Sequence, residues 1–237
     1  MPGDTALEVA ILRKCYGTRP VLRDIRFQAR PGEVLALLGA SGAGKTTTLR
    51  IAMGLDTAFD GSVRRRAGRL GVVFQEPRLL PWLSTADNLR LVAADAPVAA
   101  LLAEVGLAGA EQTMPRALSL GMARRAVLAR AFAVGPTLLV LDEPFASLDP
   151  QRAGGLAAVV ARRAQQHATA VLLATHDVGQ ALAIADRILV LAGQPATLAA
   201  DLRRADHADT EMLRCDLLAR FPFLVADPEA DQPPLRR

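Results

Sequence analysis

The sequence predicts an α/β fold with a mostly parallel sheet, an antiparallel β side-sheet and a helical subdomain. Three observations predict it. Seven short apolar runs recur along the chain, and several are continuous rather than alternating, as in strands buried on both faces. Helical stretches lie between the later runs, which implies parallel pairing with helical crossovers. One run passes through a glycine-rich turn directly into a helix.

The apolar runs cover residues 7–12, 21–27, 34–38, 70–74, 138–141, 170–174 and 188–191, and the helical stretches cover 46–53, 119–134, 152–167 and 178–185. The first two runs have no helix between them, so they are expected to pair antiparallel beside the main sheet. The alanine-rich segment from about 85 to 117 interrupts the alternation and is expected to form a helical lobe, giving a helical subdomain at about 85–135. The run VRRRAGR (63–69) reads as a solvated hairpin. Residues 1–200 are expected to form one domain. Residues 201–237 form a short tail, with one helix at 211–223 and a polar, proline-rich end that reads as disordered.

With 237 residues, 51% of them apolar and 22% charged, the chain can bury a sizeable core. Its net charge of +4 suits ATP, nucleic acid or an anionic membrane surface and selects none of them. Cys15 and Cys215 are far apart and form neither a metal-spaced cluster nor a disulfide framework, which favours a reducing compartment. No basic segment followed by an apolar core opens the sequence, so no signal peptide is expected. No apolar run approaches the ~20 residues of a membrane helix. Membrane association would therefore go through a partner protein or the surface.

The sharpest local signal is GASGAGKTT: Gly39, Ala40, Ser41, Gly42, Ala43, Gly44, Lys45, Thr46 and Thr47. It fits G-x-x-x-x-G-K-[ST], with a strand before it and a helix after it. Glycines let backbone N–H groups curl around phosphate oxygens, and the helix N-terminus adds partial positive charge. Lys45 can neutralise β and γ phosphates, and Thr46 can offer its hydroxyl to Mg²⁺.

A second signal is LLVLDE, where four apolar residues end in Asp142 and Glu143. An aspartate at a strand end beside the loop strand can hold Mg²⁺ directly or through water. Successive residues at a strand end diverge, so Glu143 is free to orient or deprotonate an attacking water. That division suits ATP hydrolysis more than transfer to a bound small molecule. A third signal is LSLGM, in which Ser119 N-caps a helix that opens with Leu120, Gly121 and Met122.

Taken together, these residues resemble the ATP-binding subunits of ABC transporters, over roughly the first two hundred residues and at family-like spacing. The resemblance implies a P-loop NTPase core and a role for each motif. Tyr16, in RKCYG, looks like the aromatic that stacks on adenine, and GASGAGKTT like the Walker A loop. Gln75, in VVFQEP, looks like the Q-loop residue that reaches Mg²⁺ and water and senses the membrane partner. LSLGM looks like the signature, usually LSGGQ. Asp142 looks like the Walker B aspartate and Glu143 like the catalytic glutamate. SLD, ending in Asp149, looks like the D-loop that crosses a dimer interface, and His176, in ATHD, like the switch histidine at the γ-phosphate. Thr46, Gln75 and Asp142 would gather Mg²⁺.

The resemblance also implies an assembly. Two copies sandwich two ATP molecules, and the Walker A loop of one copy faces the signature of the other. The dimer drives two membrane permease subunits, and indirectly a substrate-binding protein, from the cytoplasmic face of the bacterial inner membrane.

FQEPRLLPW (74–82), Met122 and DEPFASLD look like importers of the nitrate, sulfonate and taurine type, which implies small anionic or sulfonate-like cargo. An exporter or lipid-trafficking ATPase is the alternative. Trp82 and Leu83 would then meet a permease coupling helix or, equally, anchor the helical lobe. A P-loop kinase of small molecules would share residues 39–47 without LSLGM, DE, SLD and His176. ABC-type ATPases working on DNA or ribosomes usually carry coiled coils, zinc modules or tandem nucleotide domains, which this sequence lacks, so no nucleic-acid partner is expected. Leu120 stands where the family usually has glycine. A first helical residue needs φ of about −63°, which leucine accepts, so an intact signature is expected.

Overall fold

The computed structural model describes residues 5–146, 150–207 and 209–225. β1 (Leu7–Tyr16) and β2 (Arg19–Ala29) form an antiparallel hairpin. After β3 (Val34–Leu38) and α1 (Lys45–Met53), the chain returns as β4 (Asp60–Arg65) to pair with β1. Next come β5 (Leu70–Val73), α2 (Thr85–Arg90), α3 (Val98–Glu104) and α4 (Leu120–Ala133). The last part contains β6 (Leu138–Asp142), α5 (Pro150–His167), β7 (Ala170–Thr175), α6 (Val178–Ile184), β8 (Arg187–Ala192), β9 (Thr197–Arg203) and α7 (Thr210–Arg220). Two sheets result, one in the order β2-β1-β4 and a larger one in the order β5-β6-β7-β3-β8-β9. The larger sheet is parallel except for its edge strand β9. The predicted α/β class, mostly parallel sheet and antiparallel side-sheet are all present.

The continuous apolar runs have a direct cause. Strand side chains alternate between faces, and here both faces of the larger sheet are covered. Val34, Ala36 and Leu38 join one core with Leu139, Leu141, Val171 and Leu173, packed against the helices that follow β5. Leu35 and Leu37 join the other core with Val140, Leu172, Leu49 of α1 and Ile11 and Ile25 of the side-sheet. Each fully buried leucine or isoleucine contributes roughly 1.5–3 kcal/mol.

Three local expectations differ from the structure. The 63–69 run is not a hairpin: β4 belongs to the side-sheet and β5 to the larger sheet, so the arginine run crosses between sheets. It is held in that crossing, since the Arg66 N–H donates to the Ala6 carbonyl and Arg65 donates to the Met53 carbonyl. The 211–223 helix ends at Arg220, and a 3-10 turn spans Pro222–Leu224. Pro222 disfavours helical backbone at Phe221 before it. β9 was not predicted, because its half-exposed residues give an edge strand little apolar signal. The polar end from residue 226 lies outside the described residues. Among the described residues, no helix is long and apolar enough to cross a membrane.

The helices on one side are tied by an ion pair. Arg163 of α5 donates three N–H bonds of 2.6–3.0 Å to the Glu104 carboxylate of α3, and its guanidinium lies 4.6 Å from the Phe132 ring centre. Burial alone would raise the Glu104 pKa, but Arg163 and then Arg162 outweigh it and hold the carboxyl below its ordinary range. A lowered carboxyl pKa stabilises the fold above the unfolded-state value, and this contribution is lost as pH falls through the folded-state value. Glu104→Gln is therefore expected to cost roughly 1–2 kcal/mol at neutral pH. The deficit should shrink as pH falls below the ordinary carboxylate range. Urea unfolding of both proteins at neutral and acidic pH measures both effects.

Candidate active site

The chemistry gathers at one rim. β6, β7 and β3 are adjacent and parallel, so their C-terminal ends open on the same side of the sheet. Asp142 ends β6, His176 follows β7, and the loop after β3 leads into α1. This is where ligands bind in open parallel sheets. A cavity of about 530 Å³ lies there, lined by Tyr16, Arg19, Val21, Ser41, Gly42, Gly44, Lys45, Thr46, Thr47, Gln75, Asp142, Glu143, Ala146 and His176.

The loop closes on itself around Lys45. Gly44 has φ 82°, and a Cβ there would meet Leu22 Cδ2 at 2.4 Å, so both backbone and space require glycine. Lys45 is buried, and its Nζ donates to the Gly39 carbonyl at 2.8 Å and the Ala40 carbonyl at 3.0 Å. Burial pushes the Lys45 pKa down, opposed by the charges of Glu143 and Asp142. Ala43 turns away from the cavity and packs on the core shared with the side-sheet.

Two carboxylates act on this lysine, Asp142 and Glu143. The Thr46 hydroxyl donates to Asp142 Oδ2 at 2.9 Å. Glu143 Oε1 lies 3.7 Å from Lys45 Nζ and accepts from the His176 Nδ1–H at 3.0 Å. Among the described residues, Glu143 Oε2 is buried without a hydrogen-bond partner. Glu143 also has φ 48°, a left-handed backbone that a side chain of this size rarely adopts, while its N–H donates to the Ala174 carbonyl at 2.9 Å. Strain of this kind concentrates at functional sites.

The Thr46 hydroxyl, the Asp142 carboxylate and the Gln75 amide share one cavity wall. This is a set of hard oxygen donors, which suits Mg²⁺ better than a thiophilic metal.

The cavity does not include Ser119, Leu120, Gly121 or Met122. Ser119 is an N-cap with φ −65° and ψ 161°, and its Oγ accepts from the Met122 N–H at 3.3 Å. Leu120 is therefore the first residue of α4, with its side chain 53% exposed. Gly121 is absent from the positive-φ positions, so leucine and glycine both sit in ordinary helical backbone. Ser147 and Asp149 of the SLD segment lie outside the described residues. Sequence reasoning missed Arg19, Val21 and Ala146 in the cavity wall, and no motif marks them.

Burial pushes the Asp142 pKa up. The Thr46 hydrogen bond opposes this and the Glu143 charge adds to it. A raised carboxyl pKa makes the ionised form a cost to folding above the folded-state value, and that cost disappears as pH falls. Asp142→Asn keeps an acceptor for Thr46 and removes the charge. In the nucleotide-free protein it is expected to raise the unfolding midpoint by about 2–4 °C at pH 8, with a smaller gain at lower pH. It should also abolish Mg²⁺-dependent tightening of ATP binding. Calorimetric scans with and without magnesium and ATP measure both outcomes.

Residues 22–146 match the family described as ABC transporter. The chain is 42% identical to the aliphatic sulfonates import ATP-binding protein SsuB 2 of Burkholderia lata, a match covering 92% of this chain and 87% of that protein. It is 41% identical to SsuB 1 of Xanthomonas axonopodis pv. citri, over 93% of this chain and 98% of that one. It is 43% identical to SsuB 1 of Pseudomonas aeruginosa, over 85% and 86%. A solved ATP-binding subunit of an ABC transporter superposes with TM-score 0.75 at 26% identity, covering 95% of this chain and 97% of that one. A dimeric post-hydrolysis ATP-binding cassette bound to ADP and Pi superposes with TM-score 0.74 at 22% identity, over 83% and 98%, which speaks to the fold alone.

Proposed function

The chain belongs to the ABC transporter family as an ATPase, and we propose that it energises an importer of aliphatic sulfonates or similar small sulfonate-like solutes. The cargo class rests on the naming of its relatives as sulfonate import proteins, with identities of 41–43% over most of both chains. The same naming disfavours the exporter alternative. In this reading the chain pairs with a second copy, docks on two permease subunits at the cytoplasmic face of the bacterial inner membrane, and meets a substrate-binding protein only indirectly.

The observation that carries the catalytic assignment is Glu143. Glu143 lines the cavity; one of its oxygens is engaged by His176 and lies near Lys45, and the other is buried and, among the described residues, has no hydrogen-bond partner. A carboxylate with one oxygen anchored and the other lacking a partner gains a hydrogen bond when a small side-chain rotation brings that oxygen to a water in the cavity, and there it can accept the proton. In hydrolysis the Glu143 carboxylate takes a proton from the attacking water, the water oxygen bonds to the γ-phosphorus, and the bond to the β–γ bridging oxygen breaks to leave ADP. Lys45 and the loop N–H groups receive the phosphates, His176 orients Glu143 and faces the γ-phosphate, and Tyr16 stacks on adenine. Thr46, Asp142 and Gln75 would hold Mg²⁺, which when bound neutralises phosphate charge.

The signature completes a site on another copy. Ser119 to Met122 lie outside this chain's own cavity, and their N–H groups open a helix fourteen residues long. A helix N-terminus is suited to a γ-phosphate presented by a second subunit. Trp82 is 70% exposed, which supports a role on the permease-facing surface over one as an internal anchor.

The functional test is uptake of an alkanesulfonate by cells lacking their own importer ATPase and supplied with this chain and its permease. Restored uptake is the expected result. Glu143→Gln should reduce ATP hydrolysis by roughly 100-fold or more while ATP still binds, and Trp82→Ala should reduce uptake more than basal hydrolysis. Restored uptake of nitrate but not of sulfonate would reassign the cargo.

The signature has its own test. Leu120→Gly is expected to change ATPase turnover by no more than about threefold, because the backbone needs no glycine there. Ser119→Arg, which removes the cap and fills the phosphate approach, should abolish turnover. Hydrolysis that begins only after Leu120 is changed would overturn this account.

A further inference from the structure

Among the buried charges that have no place in the hydrolytic chemistry, Lys14 is the most deeply buried. Lys14, at the end of β1, is 2% exposed. Its Nζ donates to Asp56 Oδ1 at 2.7 Å and to the Ala58 carbonyl at 2.8 Å. Asp56 belongs to the turn that follows α1, where Gly54 caps the helix with φ 76°. The turn is drawn tight around its carboxylate, whose Oδ1 also accepts from the Ala58 N–H at 3.2 Å. A lysine on a side-sheet strand is therefore bound to the loop at the far end of the helix that carries the phosphate loop.

The other Asp56 oxygen holds a residue of the cavity wall. The Tyr16 hydroxyl donates to Asp56 Oδ2 at 3.0 Å, and Lys14 Nζ lies 4.5 Å from the centre of the Tyr16 ring. The phenol is thus gripped at its hydroxyl and backed on one face by an ammonium group, while the side chain stays 48% exposed on the cavity wall. An exposed tyrosine on a strand end would otherwise sample several rotamers, and ordering it at binding would cost affinity. Burial would raise the Asp56 pKa, but the hydrogen bonds from Lys14, Tyr16 and Ala58 outweigh it and keep the carboxylate ionised and able to accept.

We infer that the Lys14–Asp56 pair is the positioning element of the base subsite, fixing the Tyr16 ring so that its free face is presented to adenine. This rests on the reading of Tyr16 as the adenine-stacking residue. Neither Lys14 nor Asp56 lines the cavity. They act by holding the phenol ring before the base arrives, so their removal should weaken ATP without weakening a ligand that has no base.

The test uses full-length protein and two ligands, Mg-ATP and Mg-tripolyphosphate, titrated by calorimetry. Tyr16 is the sole tyrosine of the chain and Trp82 its sole tryptophan, so in a Trp82→Phe background the near-ultraviolet absorbance and emission report the phenol. Tyr16→Ala should weaken ATP by about tenfold. Tyr16→Phe, which keeps the ring and loses the grip on Asp56, and Asp56→Ala should each weaken it by about three- to tenfold. The double variant Tyr16→Phe/Asp56→Ala should be no weaker than either single one, since both remove the same link. Tripolyphosphate affinity should be the same throughout, and Asp56→Ala should shift the Tyr16 spectrum in the absence of nucleotide. Lys14→Met, an uncharged chain of similar length, provides the same test if Asp56→Ala does not fold. If Tyr16→Ala leaves ATP affinity unchanged, the adenine assignment itself fails. If Tyr16→Ala weakens ATP but Asp56→Ala and Lys14→Met do not, the positioning role is overturned. Equal losses for ATP and tripolyphosphate would reduce the pair to a structural tie and overturn it too.

Discussion

The structure is organised around the cost of placing charges at the rim of an apolar sheet. Lys45, Asp142 and Glu143 are all largely buried, and β3, β6 and β7 beneath them are buried along their whole length. Burial lowers the Lys45 pKa and raises that of Asp142. Internal partners oppose this: two carbonyls and the charges of Glu143 and Asp142 for Lys45, and the Thr46 hydroxyl for Asp142. Asp142 still faces the like charge of Glu143, which a magnesium ion bound with the nucleotide would offset. A site that is electrostatically incomplete by itself is one that binds its ligand with a large differential, and this is the condition for a ligand to drive a change of state.

The scaffold explains why the groups do not relax apart. Asp142 pairs across to Ala174 at the last rung between β6 and β7, and the Glu143 N–H donates to that same Ala174 carbonyl. Glu143 is thereby fixed by the sheet immediately before His176 is delivered from the next strand. Asp177 then caps α6 by accepting from the Gln180 N–H, and Thr175 Oγ1 accepts from the Asp177 N–H. His176 is held between a strand end and a helix start, both pinned by hydrogen bonds.

Legibility in the sequence followed chemical necessity. The phosphate loop and the Asp142–Glu143 pair could be read because their function dictates residue type at fixed spacing. The interior strands could be read because burial on both faces leaves only apolar residues. β9 could not be read: an edge strand with one exposed side tolerates Thr197, Asp201 and Arg203. The crossing at 63–69 was misread because a run of arginines looks like any exposed turn, and only the pairing partners show that it joins two sheets. Asp56 was invisible for another reason. Its role comes from contacts forty or more residues away in sequence, with Lys14 and with Tyr16, and a single aspartate after a helix signals nothing but a turn.

Those contacts give α1 a meaning beyond its loop. Its N-terminus begins at Lys45, and its C-terminus leads through Gly54 to Asp56. Arg65 of β4 donates to the Met53 carbonyl at that end, so the side-sheet grips the helix there as well as at Lys14. Nine residues at about 1.5 Å per residue set roughly 13 Å between the two ends. A rigid spacer of this kind fixes the phosphate grip and the tyrosine ring relative to one another before any nucleotide arrives. The side-sheet, which supplies no acid or base, therefore contributes to the site by holding one end of the ruler, and the larger sheet holds the other.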